Sequence, residues 1–380
     1  MKRIAALDML RGYALVCIML DHMPISALRQ VTLTNFVAFD AAELFVLLSG
    51  FLVGLVWIKV EARQGLLVVQ KRFWRRAFQV WRALIVGAVA LALLSKLLFV
   101  FELNHTAVWS EYSNMIMENP LGYIATVGLM WMQPNLLDVL ALYVLLIATV
   151  PVMVPLLLRW PVAFMAASVG LWFVAEPLNA LIPNQRPGPG LLFNPFGWQL
   201  LFFCGVAMGA FRKEITERLK PWSFWVSVLA WGMTIFSSAI VLSWKVGEIG
   251  KPLHDLLYLV HGPIDKWSLD GTRLLGVLAA SWLVAVPLAR PFAWMADTVC
   301  GRALAEIGQG GLWAFVACVL LSIFGDAMDM LVPVGSDYAI WLKIGIDLWV
   351  IVALWAMSSS WLRREELRGW WARKRLEHRQ

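Results

Sequence analysis

Residues 83–94 read ALIVGAVALALL, without one polar side chain. A membrane β-strand alternates apolar outward and polar inward positions over roughly ten residues, and this stretch does not alternate. It sits inside a longer apolar run, 80–101, interrupted only by Arg82, Ser95 and Lys96. A helix of that length crosses a hydrocarbon core about 30 Å thick. Similar runs recur at 8–28, 39–58, 136–158, 161–182, 196–211, 222–244, 273–290, 303–324 and 339–361. The 380 residues are 61% hydrophobic and 15% charged, with a mean hydropathy of +0.72, which excludes a water-soluble fold. The expected fold class is all-α, a polytopic transmembrane bundle of about ten spanning helices.

The charge pattern orients that bundle. With both termini cytoplasmic, one side collects Lys2, Arg3, the 59–82 segment, the 212–220 segment, Arg290, Arg302 and the 363–379 tail. The other side holds few cations: Arg29, Arg186, Lys245, Lys251, Lys266 and Arg273. This asymmetry follows the positive-inside rule and requires an even number of crossings. The net charge of +7 therefore reads as topology, not as a nucleic-acid site. Residues 1–362 form the membrane domain on this reading, and 363–380 a basic amphipathic cytoplasmic tail lying on the lipid surface. Lys2 and Arg3 before an apolar stretch imitate a signal peptide, but Asp8, Arg11, Asp21 and His22 interrupt it, so it is kept as the first span. The outward segments 102–133, 183–195 (with NQRPGPG) and 247–272 read as long irregular loops, with a short re-entrant helix expected at 119–132. Four cysteines lack metal or disulfide spacing and read as small core residues. Trp57, Trp81, Trp160, Trp222 and Trp361 fall near span ends and read as interfacial anchors.

Ionisable groups within a membrane are costly and mark function by default, and here they concentrate in the first two spans. LDMLRGYALVCIMLDHMP, from Leu7, puts Arg11 and His22 eleven residues apart, on one helix face and separated by roughly 16 Å along the axis. Asp8 stands three residues before Arg11, in position to pair with it. The second span opens with FDAAELFVLLSGF, placing Asp40 at the helix start and Glu43 one turn in. A carboxylate beside His22, from Glu43 or from Asp21, makes a general base. From the residues alone, a proton or ion pathway and a purely structural network fit as well. His105, His254 and His261 lie in outward loops and read as solvated, GQGG at 308–311 follows no strand and is no phosphate loop, and Asp138, Glu176 and Asp347 read as helix-end or bundle-polar groups.

Four segments carry a resemblance: LDMLRGYALVCIMLDHMP, LTNFVAFDAAELFVLLSGF from Leu33, QPNLLDVLALYVLLI from Gln133 and FNPFGWQLLFFCGVAMG from Phe193. Across nearly its whole length the chain resembles the OpgC family, membrane succinyltransferases of osmoregulated periplasmic glucans. That family is similar to the wider acyltransferase-3 membrane enzymes, whose first span carries Arg-x10-His, as Arg11 and His22 do here. GRALAEIGQGGLWAFVACVLLS, from Gly301, matches the family's late signature only loosely. The resemblance implies a multi-pass enzyme of the bacterial inner membrane, with His22, Glu43 and Asp21 catalytic and Arg11, Asp8 and Asp40 at the substrate. It further implies a cytoplasmic acyl-CoA donor, most simply succinyl-CoA, with Arg72, Arg75 and Arg76 holding its phosphates, and a periplasmic glucan or other exported glycan as acceptor. No metal and no permanently bound cofactor are expected. Direct transfer and an acyl-His intermediate both remain open, and the rival readings are acetylation of another exported polysaccharide and a transporter or flippase.

Overall fold

Backbone groups in hydrocarbon have no water to bond, so an apolar chain satisfies them within helices. The computed structural model, which describes residues 4–103, 108–183, 190–333 and 338–377, is 83% helix, with no strand among the described residues. The helices are α1 (Ala5–Asp21), α2 (Ala41–Gln64), α3 (Leu66–Val100), α4 (Val108–Glu118), α5 (Pro120–Gly128) and α6 (Asp138–Arg159). They continue with α7 (Pro161–Phe173), α8 (Ala175–Asn179), α9 (Pro195–Ala210), α10 (Arg212–Leu219) and α11 (Ser223–Lys245). The last are α12 (Lys251–His261), α13 (Gly271–Ala285), α14 (Ala289–Asp297), α15 (Val299–Met330) and α16 (Ala339–Glu377).

Each predicted span contains a helix, and six helical stretches among the described residues are long and apolar enough to cross a membrane alone. A seventh is added if Gly271–Ala285 and Ala289–Asp297 form one span; α7 and α9 are apolar but shorter. Proline shortens two of the expected spans. Helix α1 stops at Asp21, because Pro24 has no N–H for the Leu20 carbonyl and disfavours helix in the residue before it. Pro177 likewise cannot bond the Phe173 carbonyl, and the 161–182 run divides into α7 and α8. Two outward segments are more regular than expected: 102–133 contains α4 and α5, and 247–272 contains α12. The expected short helix at 119–132 is α5, capped by the Asn119 side chain on the N–H of Gly122. Helix α16 runs unbroken from the last span into the tail. NQRPGPG up to Pro189, Arg186, His105, Lys2 and Arg3 lie outside the described residues.

The chain forms two compact units. One comprises Met1–Thr32, Leu97–Thr106 and Arg290–Gln380; the other comprises Leu33–Lys96 and Ala107–Ala289. Each is built on a pair of parallel helices in backbone contact. In the first, a Cβ on Gly12 would stand 1.8 Å from the Leu304 carbonyl oxygen, and one on Gly308 2.0 Å from that of Asp8. Gly308 of the GQGG run is thus a helix-packing residue. In the second unit, Gly50 and Gly54 of α2 lie against the carbonyls of Phe202 and Val206, while Gly205 and Gly209 of α9 lie against those of Leu47 and Phe51. Added Cβ atoms there would come within 2.1–2.3 Å of those oxygens. Small residues four apart on facing helices allow this approach, which supplies dispersion where lipid removes the hydrophobic drive. Gly205→Ala is expected to destabilise by roughly 1–3 kcal/mol through overpacking, read as a lower Tm in detergent, whereas Gly232→Ala, with nothing within 4 Å, loses nothing.

Side chains repair the helix defects that remain. Pro155 leaves the Pro151 carbonyl without its helical donor, and Gln70 Nε2 supplies one at 2.9 Å. Trp57, expected at an interface, is 0% exposed and stacks on Phe73 with centroids 5.6 Å apart. Trp160 and Trp222 are exposed, as anchors are. Cys300 is exposed, unlike the core position expected of it, because it lies in the first turn of α15.

Candidate active site

In the first unit the site residues follow from α1. The helix is continuous from Ala5 to Asp21 with His22 as its C-cap, so Arg11 and His22 keep the eleven-residue spacing that places them on one side. The His22 Nδ1 lies 2.5 Å from the Ile18 carbonyl oxygen. A carbonyl only accepts, so Nδ1 carries the hydrogen and Nε2 of the neutral ring carries the lone pair. The orientation of this imidazole is therefore built into the helix terminus. Asp21 Oδ1 accepts from the Thr32 hydroxyl at 2.6 Å, and Asp347 Oδ2, fully buried, accepts from the Leu28 N–H at 2.8 Å. Both bonds pin the segment that follows His22. The Asp8–Gly12 stretch around Arg11 is pressed onto α15.

In the second unit Asp40 and Glu43 belong to a buried ion cluster. Asp40 caps α2: its Oδ1 accepts from the Ala42 N–H at 2.8 Å, and its own N–H donates to Glu43 Oε2 at 3.0 Å, forming a capping box. Arg273, near the start of α13, donates through Nε to Glu43 Oε1 at 2.6 Å, and its Nη2 lies 2.5 Å from the same oxygen and 3.2 Å from Asp40 Oδ2. Lys266 Nζ completes the set at 2.6 Å from Asp40 Oδ2. Burial disfavours the Lys266 ammonium, but Asp40 and Glu43 outweigh it and hold its pKa above the ordinary value. Two carboxylates face two cations, and both oxygens of Glu43, which is 0% exposed, are engaged within this unit. The loop carrying Lys266 is docked on α9: the Trp267 carbonyl accepts from the N–H of Asn194 at 2.9 Å and from Trp198 Nε1 at 3.0 Å.

A family model described as OpgC protein matches residues 3–365, nearly the whole chain. The chain belongs to the OpgC family. No curated protein and no solved structure matches it. Arg11, Asp21 and His22 of the first set and Asp40 and Glu43 of the second lie in the two N-terminal segments that carry the resemblance.

Sequence reading placed Arg273 and Lys266 among the outward cations and missed both as partners of Asp40 and Glu43. Their separation, 230 residues from Glu43 to Arg273, left only one signal, an arginine at the mouth of an apolar run. Asp326 and Asp329, each 1% exposed on α15, were also missed. Arg72 and Arg75 are exposed on α3 and Arg76 is half-buried. His254 and His261, expected to be solvated, pack into an aromatic cluster in which His254 meets Trp244 at 4.7 Å and His261 meets Tyr258 at 5.5 Å. The amphipathic helix α12 folds them there.

Proposed function

We propose that this OpgC-family protein is a membrane-embedded O-acyltransferase that moves an acyl group, most simply succinyl, from cytoplasmic acyl-CoA onto hydroxyls of a periplasmic glucan. The observation that carries this reading is the family match over residues 3–365. The hydrogen bond that orients His22 supports a role for it as the base. Nε2 accepts the proton of a glucose hydroxyl while that oxygen attacks the thioester carbonyl; the C–S bond breaks, and the imidazolium returns the proton to the departing thiolate. The ester remains on the sugar. Arg11, on the same side of α1, meets the donor, and Arg72, Arg75 and Arg76 hold its phosphates. The Arg273–Glu43–Asp40–Lys266 cluster sets the mouth of α2 and α13 on the acceptor side.

A ten-span inner-membrane topology with both termini cytoplasmic is consistent with the helix pairing. Alternating crossings give the first and ninth spans one direction and the second and sixth the other. The parallel contacts of α1 with α15 and of α2 with α9 require that agreement.

A transporter reading draws on one observation, the interruption of α15 at Gly311, since transporters often carry broken helices. Mass spectrometry of periplasmic glucans from cells lacking the protein separates the two. Succinyl adducts lost in the deletion and restored by the wild-type gene establish the transferase, and unchanged glucans in both strains overturn it.

A further inference from the structure

Helix α12, KPLHDLLYLVH at 251–261, has two sides with different surroundings. His254 and His261, seven residues apart, share one side. That side faces α11: His254 meets Trp244 edge to face with centroids 4.7 Å apart, and His261 meets Phe236 at 6.4 Å. The other side carries Leu253, Leu256, Leu259 and Val260. All four are exposed, Leu259 by 83% and Val260 by 74%.

The ring contacts also give α12 its direction. Moving forward from His254 to His261 moves backward along α11 from Trp244 to Phe236, so the two helices run antiparallel. The reversal is tight, and a Cβ on Gly250 would press into the Ser243 carbonyl. Phe236 stands nine residues before Lys245, the last residue of α11, which puts His261 about 13 Å inside that end. Helix α11 belongs to a stretch long and apolar enough to cross a membrane. A helix lying beside its last turns therefore sits at hydrocarbon depth. With 11 residues α12 is about 16 Å long, too short to cross. It ends at Gly262, whose φ of +64° turns the chain out of the helix.

Charge follows the same gradient. Glu248, Lys251 and Asp255 lie at or before the first turns of α12, and the LLYLV run between Asp255 and His261 has none. A helix in water turns its polar residues outward, whereas here the uncovered side is apolar. A face of this kind marks contact with a partner or with a membrane. Exposed Ile235 and Leu242 make α11 a lipid-facing span at this depth, and the apolar side of α12 continues that surface.

We propose that α12 is a re-entrant helix immersed in the leaflet where α11 ends, with Leu253, Leu256, Leu259 and Val260 against phospholipid acyl chains. It thereby ties to the bilayer the loop that carries Lys266 of the buried ion cluster.

The test uses the full-length protein in nanodiscs of phosphatidylethanolamine and phosphatidylglycerol, open to water on both faces. Lys251→Cys, Leu259→Cys and Val260→Cys are treated with a charged maleimide, with wild type as the blank for the native cysteines. Each rate is divided by that of the same variant unfolded in SDS. A thiol in hydrocarbon forms little of the reactive thiolate, so Leu259→Cys and Val260→Cys are expected to react about tenfold or more slowly than Lys251→Cys. Equal relative rates at the three positions overturn the proposal. A photoreactive benzophenone side chain in place of Leu259 then identifies what covers the face. A mass increase of one phospholipid is expected on irradiation. A covalent dimer in its place overturns the proposal in favour of a second copy of this chain.

Discussion

His22→Ala is expected to abolish detectable succinylation of the glucan while the protein accumulates in the membrane as wild type does. The ring's Nδ1 hydrogen bond to Ile18 reproduces what a backbone turn or interfacial water supplies at a helix C-terminus, so its loss costs little stability. Its Nε2 has no such substitute in the reaction. Removing a positioned general base lowers rates by about 10²–10⁴-fold, enough to empty the succinyl peaks in the glucan mass spectrum. His22→Gln tests the same point with a side chain that retains hydrogen bonding but has no comparable basicity. Normal succinylation in either variant, at matched protein level, would remove His22 from the chemistry.

Arg273→Met is expected to show the largest stability effect. Glu43 is fully buried and Asp40 nearly so, and among the described residues only Lys266 forms an ion pair with them once the guanidinium is gone. Breaking a buried pair by removing one partner costs about 3–5 kcal/mol, because the other charge stays desolvated. The detergent-solubilised variant should therefore melt well below wild type. Adding Glu43→Gln to Arg273→Met removes the stranded charge and should recover much of the loss, a coupling that a double-mutant cycle measures directly. An Arg273→Met protein with a wild-type Tm and no transferase activity would instead place Arg273 at the substrate.

The two carboxylates considered as orienting partners of His22 show how far local reading extends. Asp21 is adjacent to the histidine in sequence, yet its Oδ1 is engaged by Thr32, from a segment folded back after α1. Asp40 was legible as a helix-start acid and Glu43 as one a turn further in, and the structure adds that the two form a capping box. The bond of Glu43 to Arg273 was not legible, since no periodicity links residues on different helices. The GQGG run, read from sequence only as no phosphate loop, holds three glycines. Gly308 proves to be a helix contact, set by what α1 places opposite it, and Gly311 a break with nothing within 4 Å.

Sequence by itself determined that this chain is helical and membrane-embedded, where most of its helices lie, and that Arg11 and His22 share a helix face. Hydropathy, proline placement and the helical repeat act over a few turns, and each such conclusion needs only that range. Tertiary structure alone decided that Glu43 is neutralised by Arg273 and that glycines bring α1 onto α15 and α2 onto α9. Those outcomes arise from packing between segments distant in the chain, where the buried charge and the close backbone contact are settled by whichever partner the fold delivers.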